Sequence, residues 1–100
     1  MMAPGNVSFE YVRFAGKVPS QISHHVKDGI TEDFVRSRVL FTSKEDREYL
    51  PDGSYKLAFK VKHGNRKPIL VEIYVRERKY NSVITEYVVY GVHVTKAKQK

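Results

Sequence analysis

Residues Tyr55-Lys56-Leu57-Ala58-Phe59-Lys60-Val61-Lys62 alternate apolar with charged or small side chains without a break, and Ile69 to Arg78 (ILVEIYVRER) resumes the rhythm. A period of two marks a strand with one face in a core. Tyr55, Leu57, Phe59 and Val61 point inward in the first run, and Ile69, Val71, Ile73 and Val75 in the second. Lys56, Ala58, Lys60 and Lys62 stand on the other face, joined by Leu70, Glu72, Tyr74, Arg76 and Arg78. Between the runs, His63-Gly64-Asn65-Arg66-Lys67 reads as a hairpin loop, and Pro68 suits the mouth of a strand. Asn81-Ser82 turns the chain into Val83 to Val94, which is apolar on both faces. That is the pattern of a central strand.

Working back toward the start, Pro51-Asp52-Gly53 is a turn that separates the strands from a helical block. Thr31 is a good N-cap, Glu32 and Asp33 place negative charge on the first turn, and Ile30 can staple to Val35. Phe34, Val35 and Val39 form an apolar stripe on a helix reaching about Phe41, with Glu32 and Arg36 at a supporting spacing of four. Ser43 to Glu48 reads as a solvated turn or one more helical turn, with no function assigned. A shorter helix, SQISHHVKD, starts at Pro19 or Ser20 and is stopped by Gly29, with Ile22 and Val26 sharing one buried stripe. Ala15 to Pro19 is a loop. Val7 to Phe14 (VSFEYVRF) is a strand with Val7, Phe9 and Tyr11 on one face, and residues 1–6 and 96–100 are flexible ends. The expected fold is a single α+β domain over residues 1–100, in the order β-α-α-β-β-β, with two helices on one face of an antiparallel sheet.

One hundred residues, 41% hydrophobic and 12% aromatic, suit one core. The lack of cysteine excludes disulfide scaffolds, thiolate zinc sites and cysteine nucleophiles. Glu10, Arg13 and Lys17 interrupt the first residues in a way no signal peptide tolerates, and no run approaches the roughly 20 apolar residues of a membrane span. A cytoplasmic protein with no membrane partner is expected. The net charge is +7, and it is unevenly placed. The first fifty residues carry seven bases and seven acids, the second fifty eleven bases and four acids. Such a half-molecule favours a polyanionic partner, nucleic acid first and an acidic membrane second.

No phosphate-cradling glycine loop or zinc-hydrolase motif is present. The adjacent His24 and His25 diverge by about 100° on a helix and suit one metal poorly. His63 reads as a solvated loop residue. No metal site and no cofactor are expected. Metal-free cleavage of RNA by its own 2′-hydroxyl needs a base, cations over the phosphate and an acid for the leaving oxygen. Lys60, Arg76 and Arg78 offer the cations, with His25 or His93 as proton carrier. Lys56, Lys62, Tyr74, Arg78 and Tyr80 are the expected nucleic-acid contacts, the tyrosines by stacking on bases. Each has a plainer reading. Strand lysines protect edges, and strand tyrosines pack across strands.

Ser23-His24-His25 followed by Asp28-Gly29-Ile30-Thr31-Glu32-Asp33-Phe34-Val35 resembles a segment of BrnT-like toxin relatives, in which a histidine-bearing helix leads to a Gly-Ile-Ser/Thr turn and an acidic helix start. The basic strands that follow, ending in Val83-Ile84-Thr85, are also similar to that group, which shares the RelE-type ribonuclease fold. The resemblance covers Ile22 to Tyr90. It implies a toxin-type endoribonuclease of a toxin–antitoxin pair, acting on mRNA without metal and silenced by an antitoxin protein. Two other readings stand beside it. One is a non-catalytic nucleic-acid-binding module using the same residues as phosphate contacts. The other is a structural protein whose sheet edge pairs with a partner strand or a second copy in a homodimer.

Overall fold

Strand β5 (Ile84–Lys96), read from its sequence as central, lies inside the sheet, flanked by β1 (Phe9–Phe14) and β4 (Ile69–Lys79). The computed structural model describes residues 9–62, 64–65 and 67–96. Beyond β4 come β3 (Tyr55–Val61) and the two-residue β2 (Glu48–Tyr49), giving the order β1-β5-β4-β3-β2. The domain is α+β, but the sheet is mixed rather than antiparallel, because β1 runs parallel to β5. Parallel neighbours need a long connection, and the helices plus the antiparallel strands supply it. The strand β2 is an addition to the expected order. Val7, His63, Arg66 and the expected flexible segments 1–6 and 97–100 lie outside the described residues. Lys96, expected in a frayed tail, instead ends β5 and ion-pairs with Asp28 at 3.2 Å.

Two helices lie on one side of this sheet. Helix α2 (Glu32–Phe41) begins as its sequence dictates: the Thr31 hydroxyl accepts the Phe34 backbone N–H at 3.0 Å, and Ile30 and Val35 are both fully buried. Arg36 pairs with Asp33 at 2.6 Å rather than with Glu32, and its guanidinium lies 5.3 Å from the Phe14 ring. Helix α1 (Val18–Ser23) is shorter than expected. After Ser23 the chain turns through the two histidines into a single 3-10 turn, Val26–Asp28, closed by Gly29 at φ 87°. Ile22 is buried, but the break rotates Val26 out to solvent, so the two share no stripe. The residue this turn buries instead is Asp28, 2% exposed. Burial pushes its pKa up, but the hydrogen bond and charge of Lys96 outweigh this and hold it below the ordinary value.

The core joins Val18, Ile22, Ile30, Val35 and Val39 to the inward residues of β3, β4 and β5. In β1 the inward residues are Val12 and Phe14, whereas Phe9 and Tyr11 share the outward face and are exposed. Beyond Phe14, β5 has no strand on that side, and α1 takes its place: Ala15 N–H donates to the Val89 carbonyl and the Gln21 side-chain carbonyl accepts from Val92 N–H.

Past the helices, the 43–50 segment covers the core. Arg47 is drawn inward, its side chain 7% exposed, with the guanidinium 4.4 Å from the Tyr55 ring and 6.0 Å from the Tyr87 ring. It donates to the Tyr49 hydroxyl at 3.2 Å and lies 3.5 Å from Glu77. The stretch to which no role was assigned thus carries the plug of the core. Tyr87 donates to Glu10, and burial together with that carboxylate pushes its pKa up to about 12.

Candidate nucleic-acid interface

The strand pairing places the uncovered side chains in rows. Lys60, Leu70 and Thr95 form one row, and Ala58, Glu72 and His93 the next. Then come Glu48, Lys56, Tyr74 and Gly91, followed by Arg76, Val88 and Arg13, and finally Arg78, Glu86 and Tyr11. Among the described residues no helix crosses this side.

One irregularity decides what the face displays. The β4–β5 register shifts at Tyr74/Val75, so that Tyr74 faces Gly91, Val75 faces Val89, and Tyr90 is the extra residue of a bulge. The bulge brings Tyr90 onto the uncovered face. Its ring lies 5.9 Å from that of Tyr74, and Arg76 sits 4.9 Å above it. Its hydroxyl is 2.7 Å from the Ser54 hydroxyl. A Cβ at Gly91 would meet Tyr74 Cδ2 at 3.5 Å, an ordinary van der Waals contact, so the Tyr74 ring lies directly over this position. Tyr90 was not among the residues singled out from the sequence. A Tyr-Gly pair inside a strand pattern was the available signal, because an interior glycine often marks a bulge.

A second aromatic–cation pair follows. Arg78 lies 5.5 Å above the Tyr80 ring. Tyr80 donates to Glu86 Oε1 at 3.0 Å, and Arg13 Nε donates to Glu86 Oε2 at 3.1 Å. Glu86 is only 4% exposed although it faces the side without helices, because these neighbours close over it. Burial pushes its pKa up, but the Tyr80 hydroxyl and the Arg13 guanidinium outweigh burial and hold it below its ordinary value. The same burial, with the Glu86 charge, raises the pKa of Tyr11.

The cations of this face are not equivalent. Lys56 sits between Glu72 at 3.2 Å and Glu48 at 3.5 Å, and the Glu72 hydrogen bond raises its pKa despite desolvation. Its charge is already matched. Arg76 reaches Asp52 at 3.3 Å, a pair more than half exposed on both sides and therefore weak in water. The hydroxyl and backbone N–H of Ser54, followed by Arg76, lower the Asp52 pKa. Lys60 and Lys62 are exposed, and neither makes an ion pair with another described residue.

The expected site residues divide between the two sides. Lys60, Tyr74, Arg76, Arg78 and His93 share the uncovered face, with His93 opposite Glu72 in register. Along the strand, four residue steps separate the His93 row from the Arg76 row, about 13 Å. Lys60 is only two steps from the His93 row. His25 lies on the helix-covered side, its Nδ1 3.8 Å from Asp28 Oδ2, so the fold does not bring it to these cations. Among the described residues, no three histidine, aspartate or glutamate side chains gather as a metal would need, and no helix is long and apolar enough to cross a membrane. Comparison with protein-family models, with curated proteins and with solved structures returns no match.

Proposed function

We propose that this protein binds single-stranded RNA across the uncovered face of its sheet. The observation that carries the reading is the pairing of Arg76 with Tyr90 and Arg78 with Tyr80, with Tyr74 beside Tyr90, on a face that no helix of the described residues covers. Guanidinium groups meet phosphates, and tyrosine ring faces accept unpaired bases whatever their sequence. A broad β face has no projecting helix or ribbon to enter a duplex groove, which favours splayed single strands. The resemblance to toxin-type ribonucleases favours RNA over DNA. Anisotropy with a labelled single-stranded RNA tests the reading. The wild type binds, and Arg76→Gln with Arg78→Gln weakens binding at least tenfold. Unchanged binding, or a preference for duplex, overturns it.

A second reading, a metal-independent endoribonuclease of the RelE/BrnT type kept silent by an antitoxin in the cytoplasm, is favoured by one observation. His93 shares the face with Lys60 and Arg76. In this reading cleavage centres on the Lys60–His93 end. His93 carries the proton, Lys60 offsets charge on the scissile phosphate, and Arg76 holds the flanking nucleotide. Structured RNA incubated with the protein in EDTA is cut by the wild type and spared by His93→Ala. Intact RNA at high protein concentration removes the catalytic claim and leaves the binding one.

A further inference from the structure

The outer edge of β3 is open where the outer edge of β5 is not. β2 pairs only with Tyr55 and Lys56, while β3 continues to Val61. Leu57 to Val61 therefore have no strand neighbour on that side, and among the described residues no loop backbone hydrogen bond reaches them. Since successive residues direct their N–H and C=O groups to alternate sides, two or three of these five present both groups outward.

Both flanks of this edge combine apolar surface with unmatched positive charge. On the helix side, a cleft of about 520 Å³ runs between the end of α2 and β3, lined by Phe41, Arg38, Ala58 and Phe59 among others. Phe41 is 83% exposed at the mouth of this cleft, so its ring is free to pack on an added strand. Arg38 stacks between Phe34 and Phe59 at 5.2 and 5.1 Å and makes no ion pair with a described residue. The acid in this lining, Asp46, is turned to the Ser43 hydroxyl at 3.0 Å. On the other flank, Lys60 and Leu70 border a second hollow of about 300 Å³, and the exposed Lys62 follows the last residue of β3.

We propose that an extended acidic segment of a partner polypeptide adds to the free edge of β3 as a further strand. Its backbone completes the hydrogen bonding of Leu57 to Val61. Alternate side chains then fall on opposite flanks: apolar ones pack against Phe41 and Phe59, and carboxylates meet Lys60 and Lys62. Charge selects this occupant over a second copy, since two chains of net charge +7 joined here would bring their own lysines together. The edge of β1 is a weaker candidate because its one cation, Arg13, is already bound to Glu86. The inference shares Lys60 and Lys62 with the RNA reading but not Phe41 and Phe59, so Phe41→Ser separates the two.

The test titrates the full chain with a fluorescent peptide of alternating glutamate and valine. Its controls are a lysine–valine peptide and an acidic peptide with prolines at alternate positions, which cannot pair as a strand. The alternating acidic peptide binds at least tenfold more tightly than either control, and it protects amides within 57–61 from hydrogen exchange. Phe41→Ser, at a site exposed enough to leave folding intact, weakens the peptide tenfold and leaves RNA binding unchanged. Lys60→Glu with Lys62→Glu abolishes peptide binding. Equal binding of the proline peptide, protection at β1 instead of β3, or indifference to both sets of substitutions overturns the proposal.

Discussion

Lys56 and Arg78 stand on the same side of the same sheet, and the sequence ranks them alike as cations, yet their surroundings predict that only Arg78 contributes to RNA binding. Lys56 is matched by Glu48 and Glu72, while Arg78 lies over the Tyr80 ring and pairs with no carboxylate among the described residues. The cations left for phosphates are Arg78, Lys60 and Lys62, together with Arg76, whose exposed partner Asp52 gives way readily. Four contacts to a single strand give a slope of log affinity against log salt of about −2.8, or roughly a fiftyfold loss between about 50 and about 200 mM. Arg78→Gln reduces the slope to about −2.1, a loss of roughly twentyfold over the same range. Lys56→Gln combined with Glu72→Gln keeps the local net charge and leaves the slope near that of the wild type. Anisotropy titrations of a labelled oligonucleotide of about twelve nucleotides, at several salt concentrations, read all three slopes. If Arg78→Gln keeps the wild-type slope while the double variant loses a contact, the phosphates do not lie where the Arg–Tyr pairs place them, and the argument from ion pairing is wrong.

Three further outcomes follow from the fold. Arg47→Ala leaves Tyr55 and Glu77 without their buried cation, so it lowers stability by about 3 kcal/mol and Tm by about 15 °C, whereas a loss under about 1 kcal/mol would show that Arg47 is not the plug. Glu86 has a folded pKa below its ordinary 4.5, so its stabilisation is fully present above that pH and fades as the pH falls through the lower folded value. The stability gap between wild type and Glu86→Gln is therefore widest near neutrality and closes in acid, and a gap constant from neutral to low pH refutes the linkage. Gly29→Ala, at φ 87°, costs about 1–2 kcal/mol in denaturant unfolding, and no change there would remove the left-handed cap from the account.

The β3–β4 hairpin was legible because each strand keeps one uniform face from end to end, and a period of two needs no knowledge of neighbours. Helix α2 was legible because its start signals are local: one hydroxyl, two acids and one apolar residue before the cap. The first helix was not. Its pattern ran smoothly through His24 and His25, whereas the chain leaves the helix after Ser23 and buries Asp28 against Lys96, a partner 68 positions later that no local pattern reveals. In β1 the sequence groups Phe9 and Tyr11 on one face without saying which way that face turns; they lie on the side where Glu86, Tyr80 and Arg13 gather, and Val12 shares the core with Phe14.

β5 shows most clearly why the candidate site was only half readable. Val92 and Val94 face the core, and an unbroken alternation from them would send Tyr90, Val88 and Glu86 inward as well. Burying Glu86 among valines, away from Arg13 and Tyr80, would leave a charge with no donors. The bulge at Tyr90-Gly91 reverses the parity. Tyr87 and Val89 enter the core, while Glu86, Val88 and Tyr90 move to the face that carries Arg76 and Arg78. A single extra residue thus determines both which tyrosine lies under Arg76 and which carboxylate is opposite Arg78. Composition counts the cations of this protein, but which of them remain open to a polyanion depends on cross-strand register.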